Sequence, residues 1–269
     1  MRIKHFDVVS FIGQGSFGKV YKGIDVRNDN AVAIKIDTSN LKVLRNEVSI
    51  MNYLYRNGVY DIPKIFWYGN IDNNLVLAMT HYNNNLQDYF DVKGVINDTK
   101  MASIMIKCLD ILRQLADSQV VHRDIKPQNF MMNNGQLNII DFGLSTIYSF
   151  TSIDYNDYNN NEIVGTPRFT SYFSHCGEPP SPRDDIVSLG YMYIYLNTGS
   201  LHWDEIERRD TSLSVCDINH PDNLIRRELK SHDVLLPTLS DPIKNYMHYC
   251  YSLKCEDTPD YHSLMRLFT

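Results

Sequence analysis

No stretch of this chain is apolar for long enough to cross a bilayer. The longest such run, near Leu189 to Leu196, falls well short of the roughly 20 residues that a spanning helix needs. The opening residues, MRIKHFDVV, hold no apolar core of a secretory leader, so no membrane association is expected. Cysteine is scarce: five residues, an odd number with no C-x-x-C spacing, speak against a disulfide framework or a zinc site and fit the reduced thiols of an intracellular protein of cytoplasm or nucleus. Positive charge is also short. A formal net charge of -6 gives no general electrostatic reason to bind nucleic acid, although Arg208, Arg209, Arg226, Arg227 and Lys230 form local basic clusters that an acidic partner could meet. Internal repeats and long linkers are absent as well. What is present, 269 residues with 43% hydrophobic and 22% charged side chains, is globular material for one large domain or two lobes.

Up to about residue 80 the signals are those of strands. FDVVSFIG, GKVYKGIDV, AVAIKID and NLVLAMT are β-branched or apolar runs bounded by Gly, Asn and Asp, as antiparallel strands are. One helix interrupts them, LKVLRNEVSIMNYLYRNG, with Asn57 and Gly58 as its C-terminal cap. After residue 85 a helical period takes over. In NDTKMASIMIKCLDILRQLADS, Asn97 or Asp98 is the cap, and Met101, Ile104, Met105, Cys108, Leu112 and Leu115 form one stripe. Further helices are expected over Asp184–Leu196 and Asp241–Cys250. A small β-rich lobe thus precedes a larger helical one, and a cleft between lobes is where a ligand is expected.

The first-lobe helix carries a carboxylate on its apolar stripe. Val43, Glu47, Ile50, Met51 and Leu54 share one face by their spacing. An unpaired buried charge costs several kcal/mol, so Glu47 needs a partner, and Lys35 in AVAIK is an ammonium at the inward position of an apolar strand. The alternative is that both side chains reach water. Gly13, Gly15 and Gly18 in IGQGSFGKV have the G-x-G-x-x-G spacing that lets backbone approach phosphates. Strand flanks them on both sides, and Phe17 and Val20 point to a hairpin rather than to the helix of a dinucleotide fold.

Polar groups crowd one later segment, VVHRDIKPQNFMMNNGQLNIIDFG. Its HRDIKPQN, with Asp124, Lys126 and Asn129, followed by Asp141 in DFG, resembles the protein-kinase signature, and GQGSFGKV and AIK precede it in the right order. The resemblance implies an α+β bilobal protein-kinase fold: one catalytic domain over 1–269, with a small antiparallel β-rich N-lobe holding one main helix (about 1–80), a hinge (about 80–83) and a larger, mainly helical C-lobe (about 84–269). It also implies ATP and Mg2+ as cofactors. A carboxylate at Asp124 can accept or orient a hydroxyl proton, and Lys126 can neutralise the transferring phosphoryl group. Asn129 and Asp141 can supply hard oxygen ligands to magnesium. Lys35, held by Glu47, would grip the α- and β-phosphates, and Ile12, Val20 and the three glycines would cover the nucleotide.

Closer still, HRDIKPQNFMM, GTPRFTS, RDDIVSLGYMYIYL and SLKCEDTPDYHSLMRLF resemble the casein kinase I group of serine/threonine kinases, from Phe6 to Phe268. No Ala-Pro-Glu follows GTPRF, as in that group. By this resemblance Met79 is the gatekeeper, Thr80, His81 and Tyr82 form the hinge that meets adenine, and Asp185 supports the catalytic loop, where an exposed helix-start charge is the alternative. The group favours protein substrates with acidic or already phosphorylated segments, and Arg168 matches the arginine that lines its anion site; a surface ion pair is the alternative there. Activity without loop phosphorylation is also implied.

Departures mark the limits of the likeness. Tyr172 and Phe173 stand where small polar residues are usual, the stretch between LHW and LLP matches poorly, and no regulatory tail is expected. Between Gly143 and Gly165 the composition favours an exposed mobile loop over a packed element; its Tyr148, Tyr155 and Tyr158 are either modification sites or, as is commoner for loop tyrosines, simply solvent-facing, and no role is assigned to them. Three functional classes fit such a chain. They are an active serine/threonine kinase, a catalytically weak pseudokinase serving as a binding scaffold, and a small-molecule phosphotransferase. The intact Lys35, Asp124 and Asp141 favour the first over the second, and the HRDIKPQN and GTPRF text disfavours the third.

Overall fold

Strand formation near the N-terminus follows the β-branched runs closely. The computed structural model describes residues 1–15, 18–37, 41–133, 135–148, 161–207 and 216–269. Phe17, Tyr155, Tyr158, Arg208 and Arg209 lie outside the described residues. Two units emerge, one of Met1–Asn85 with Phe130–Ser145 and one of Leu86–Asn129 with Thr146–Thr269.

In the first unit six strands form one antiparallel sheet in the order β1-β2-β3-β4-β6-β5: β1 (Arg2–Ile3), β2 (Phe6–Gly15), β3 (Gly18–Asp25), β4 (Asn30–Asp37), β5 (Ile65–Ile71) and β6 (Asn74–Thr80). β5 has no counterpart among the expected strands. Its sequence, IFWYGNI, lacks clean alternation, and a bulge between Ile65 and Trp67 breaks its register with β6. In β4, Val32 and Ile34 join Ile3, Phe6, Val76 and Ala78 in a buried cluster. Side chains alternate along a strand, so Ala33 and Lys35 face the other way. Register sets Lys35 opposite Val20 and Ala33 opposite Met79, which places an ammonium in an apolar wall.

Helix α1 (Leu41–Arg56) buries Leu44, Glu47, Val48, Ile50, Met51 and Leu54, while Val43 is only half-buried. The expected face is thus corrected by about one residue, with Leu44 and Val48 taking the place of Val43. The helix ends as expected: Gly58 adopts φ 83° and the Val59 N–H returns to Leu54 O at 3.1 Å. The hairpin Phe130–Asn133/Gln136–Ile139 completes the unit, with Asn84–Asn85 as its third strand.

The second unit is mainly helical: α2 (Leu86–Lys93), α3 (Asp98–Asp117), α4 (Tyr172–His175), α5 (Pro182–Thr198), α6 (Asp204–Glu207), α7 (Pro221–Leu229), α8 (His232–Leu235), α9 (Ile243–Ser252) and α10 (Tyr261–Arg266). Asn97 is the cap of α3, its side chain accepting from the Lys100 N–H at 3.0 Å, and the predicted stripe is buried. α5 is buried from Pro182 to Leu196, polar in its first turn and mostly apolar beyond it, and packs against α3 and α9.

Two surface expectations are overturned here. Tyr148 is buried, its backbone N–H donating to Gln119 O and its hydroxyl to Ala116 O, because Thr146–Ile147 pairs with Val120–Val121 and carries it inward. Arg226 and Lys230 are also buried, so with Arg227 they do not form an exposed basic patch.

Candidate active site

In the first unit a cavity of about 150 Å³ opens on the face of the sheet that carries Ala33 and Lys35. Its walls are mostly apolar, from Ile12, Val20, Ala33, Met79, Met131 and Ile140. Its charged end is one cluster. Lys35 Nζ donates to Glu47 Oε2 at 2.7 Å and to Asp141 Oδ1 at 3.0 Å. Glu47 is fully enclosed, whereas the Asp141 side chain keeps 32% of its exposure. Burial works against the charge of Lys35, and the two carboxylates more than reverse it, so the amine is held above its ordinary value. The same burial pushes the Glu47 carboxyl up against the pull of Lys35; at 2.7 Å we take the ionised pair as the operative state.

Asp141 sits in the left-handed region at φ 69° at the entry to the turn Phe142–Leu144. Asn46, one residue before Glu47 on α1, holds that turn, its Nδ2 donating to Gly143 O at 3.0 Å and to Ser145 O at 2.8 Å. The stretch Thr80–Tyr82 closes another side of the cavity. Burial, and then the nearby Lys22, lower the affinity of His81 for a proton. The Tyr82 hydroxyl, pushed up to about 12 chiefly by burial, donates to Asn138 Oδ1 at 3.2 Å.

In the second unit the segment His122–Asn129 forms a compact polar loop. Asp185, at the start of α5, is buried and accepts from the N–H groups of His122 at 2.7 Å and Arg123 at 2.9 Å, fixing the loop's entry. It is thus no exposed helix-start charge. Asp124 is buried and receives hydrogen bonds on both oxygens. Oδ1 accepts from the Thr166 N–H at 3.0 Å and from its hydroxyl at 2.7 Å; Oδ2 meets Lys126 Nζ at 2.7 Å and Asn129 Nδ2 at 3.2 Å. Lys126 also donates to Thr166 Oγ1 at 2.9 Å, so carboxylate, ammonium and hydroxyl form a closed triangle. Gly165 makes that approach possible: at φ +102° a Cβ would stand 2.3 Å from Arg123 O. A carboxylate fixed beside an ammonium in this way can take a proton from a hydroxyl while the cation steadies a transferring anion.

A family model described as protein kinase domain matches residues 6–266. The chain belongs to the protein kinase family. In this kinase domain the residues expected from the sequence fall into two groups, one in each unit. Ile12, Val20, Lys35, Glu47, Met79, His81, Tyr82 and Asp141 line the cavity of the first; Asp124, Lys126 and Asn129 come together in the second. Gly13, Gly15 and Gly18 lie along the β2–β3 hairpin, Gly15 paired with Gly18, and Gly13 and Gly18 are not among the residues that line the cavity. Arg168, in the second unit, is held by another partner. Its guanidinium forks onto Asp204, Nε to Oδ1 at 2.7 Å and Nη2 to Oδ2 at 2.6 Å, and stacks 4.2 Å from the Tyr195 ring.

Sequence spacing did not point to Asn46, Thr166, Met131 or Ile140. Thr166 stands inside the GTPRF text, but only its two bonds to Asp124 distinguish it from any loop threonine.

Proposed function

We propose that this kinase domain is an active serine/threonine protein kinase of casein kinase I type, transferring the γ-phosphate of Mg-ATP to protein hydroxyls. One observation carries the reading: a buried ammonium, Lys35, bonded to both Glu47 and Asp141 at the polar end of an otherwise apolar cavity. An apolar slot ending in a fixed positive charge suits a flat base attached to a polyphosphate. Glu47 keeps Lys35 in place, and Lys35 grips the phosphates nearer the ribose. Asp124, held by Thr166 and Lys126, orients the substrate hydroxyl and takes its proton, and Lys126 offsets charge on the moving phosphoryl group.

Magnesium, when bound, would supply positive charge that offsets the charge of the phosphates, with Asp141 and Asn129 as the residues that would hold it. The residues present fit it. Asp141 offers a half-exposed carboxylate, and Asn129, whose Nδ2 donates to Asp124 O at 2.8 Å, has its carbonyl oxygen as the ligand atom.

Phosphorylation of casein with labelled ATP and magnesium tests the reading, with hydrolysed product analysed for phosphoserine and phosphothreonine. We expect turnover on the order of 1–100 per second. Lys35→Met should lower it by ~10²–10³-fold, the loss typical of one fixed charge-stabilising donor. Absence of transfer by the wild type would favour a binding scaffold instead. Preference for acidic or phosphorylated substrates rests on the family resemblance, and a substrate anion at Arg168 would have to displace Asp204. Peptide arrays with wild type and Arg168→Ala decide that point: an unchanged taste for acidic positions removes Arg168 from it.

A further inference from the structure

α7 is followed by a buried cation. Lys230 has no exposed surface, and its Nζ donates to Pro167 O at 2.8 Å and to Thr170 O at 2.7 Å. A third contact, at 3.2 Å, is to Nε2 of His175, whose imidazole burial and the Lys230 charge keep neutral. The rings of Trp203 and Tyr191 lie 4.9 and 5.1 Å from the same nitrogen.

Both carbonyls belong to one tight turn. Thr166 O accepts from the N–H groups of Phe169 and Thr170 at 2.9 and 3.0 Å and from the Thr170 hydroxyl at 2.9 Å, so residues 166–170 move as a piece. Trp203 Nε1 donates to Arg168 O at 2.7 Å and fixes the same piece from its middle. At its start, the Thr166 N–H and hydroxyl both meet Asp124 Oδ1.

Burying an ammonium is costly, and here the cost is offset by bonds that fix two carbonyls of one turn, a task that needs a donor able to serve both. We propose that Lys230 is a positioning residue for phosphoryl transfer, setting the 166–170 turn so that Thr166 holds Asp124 in its working orientation. The inference rests on the role assigned to Asp124 above.

Casein phosphorylation by wild type, K230M, K230Q, T166A and the doubles K230M/T166A and K230Q/T166A tests it. K230M should lower kcat by ~10–10²-fold, the scale of a misplacement of about 1 Å, and leave KM for ATP within ~2-fold. K230Q, whose amide can donate to both carbonyls, should recover part of the loss. Each double variant should fall no more than ~2-fold below T166A alone, because the two residues act on one step. Losses that multiply, or a K230M kcat within ~2-fold of wild type, would overturn the inference. Should K230M fail to fold, the K230Q/T166A cycle is read by the same rule. A wild type that transfers no phosphate overturns the reading of the site and this inference with it; an active wild type with an indifferent K230M overturns this inference alone.

Discussion

Asn46 donates its amide to two carbonyls of the turn that carries Asp141 and so ties that turn to α1. Asn46→Ala should cost about 1–3 kcal/mol in urea unfolding, the usual penalty for leaving buried acceptors unmet, and should raise KM for ATP as Asp141 loosens. Asp185 makes a second residue-scale prediction. Burial pushes its carboxyl from an ordinary 3.8 up to about 7, against the N–H groups of His122 and Arg123. Between those values the folded chain keeps a proton that the unfolded chain has lost, so this group's contribution is full below about pH 4 and disappears as pH rises to about 7. Thermal unfolding across that window should show wild type losing stability with rising pH relative to Asp185→Asn, by a few kcal/mol at most at about 1.4 kcal/mol per pKa unit. Parallel curves for the two proteins would contradict it. At this scale the sequence was legible where chemistry follows residue type: a carboxylate on an apolar helix face demanded a partner, and Lys35 is that partner. Asn46, Thr166 and Lys230 were not legible, because their roles come from contacts with residues 40 or more positions away.

At the scale of elements, the glycine-rich hairpin separates into two demands. Gly18 adopts φ +144°, and a Cβ there would stand 2.5 Å from Ile36 O, so Gly18→Ala should cost about 1–3 kcal/mol in denaturant unfolding. A Cβ on Gly13 would meet nothing within 4 Å. Gly13→Ala should therefore keep its stability and raise KM for ATP, because a side chain there hinders the hairpin's approach to phosphate; equal stability losses for both variants would contradict the distinction. The β2, β3, β4 and β6 runs were legible because alternation and β-branching agree with the pairing that forms. β5 was not, since its bulge breaks the period that would announce it. Tyr148 misled for a related reason: its polar neighbours describe a loop, and only the pairing of Thr146–Ile147 with Val120–Val121 turns its ring inward.

For the whole molecule, the described helices include none long and apolar enough to cross a membrane, and the net charge of -6 leaves phosphate recognition to individual cations such as Lys35. Ligand binding should show in global stability. Mg-ATP at about 100 times its Kd contributes about 2.7 kcal/mol to the folded state, enough to raise Tm by several degrees, and Lys35→Met should lose most of that rise. The central claim is that Asp124 acts on a hydroxyl while Lys35 and Asp141 hold the nucleotide. Single-turnover transfer, with enzyme in excess over labelled Mg-ATP and casein present, tests it most directly. The account predicts phosphate on serine and threonine with the wild type, and with Asp124→Asn an unchanged ATP affinity but transfer slower by at least ~10²-fold. Transfer by Asp124→Asn at the wild-type rate, or none by the wild type with ATP bound, would contradict it.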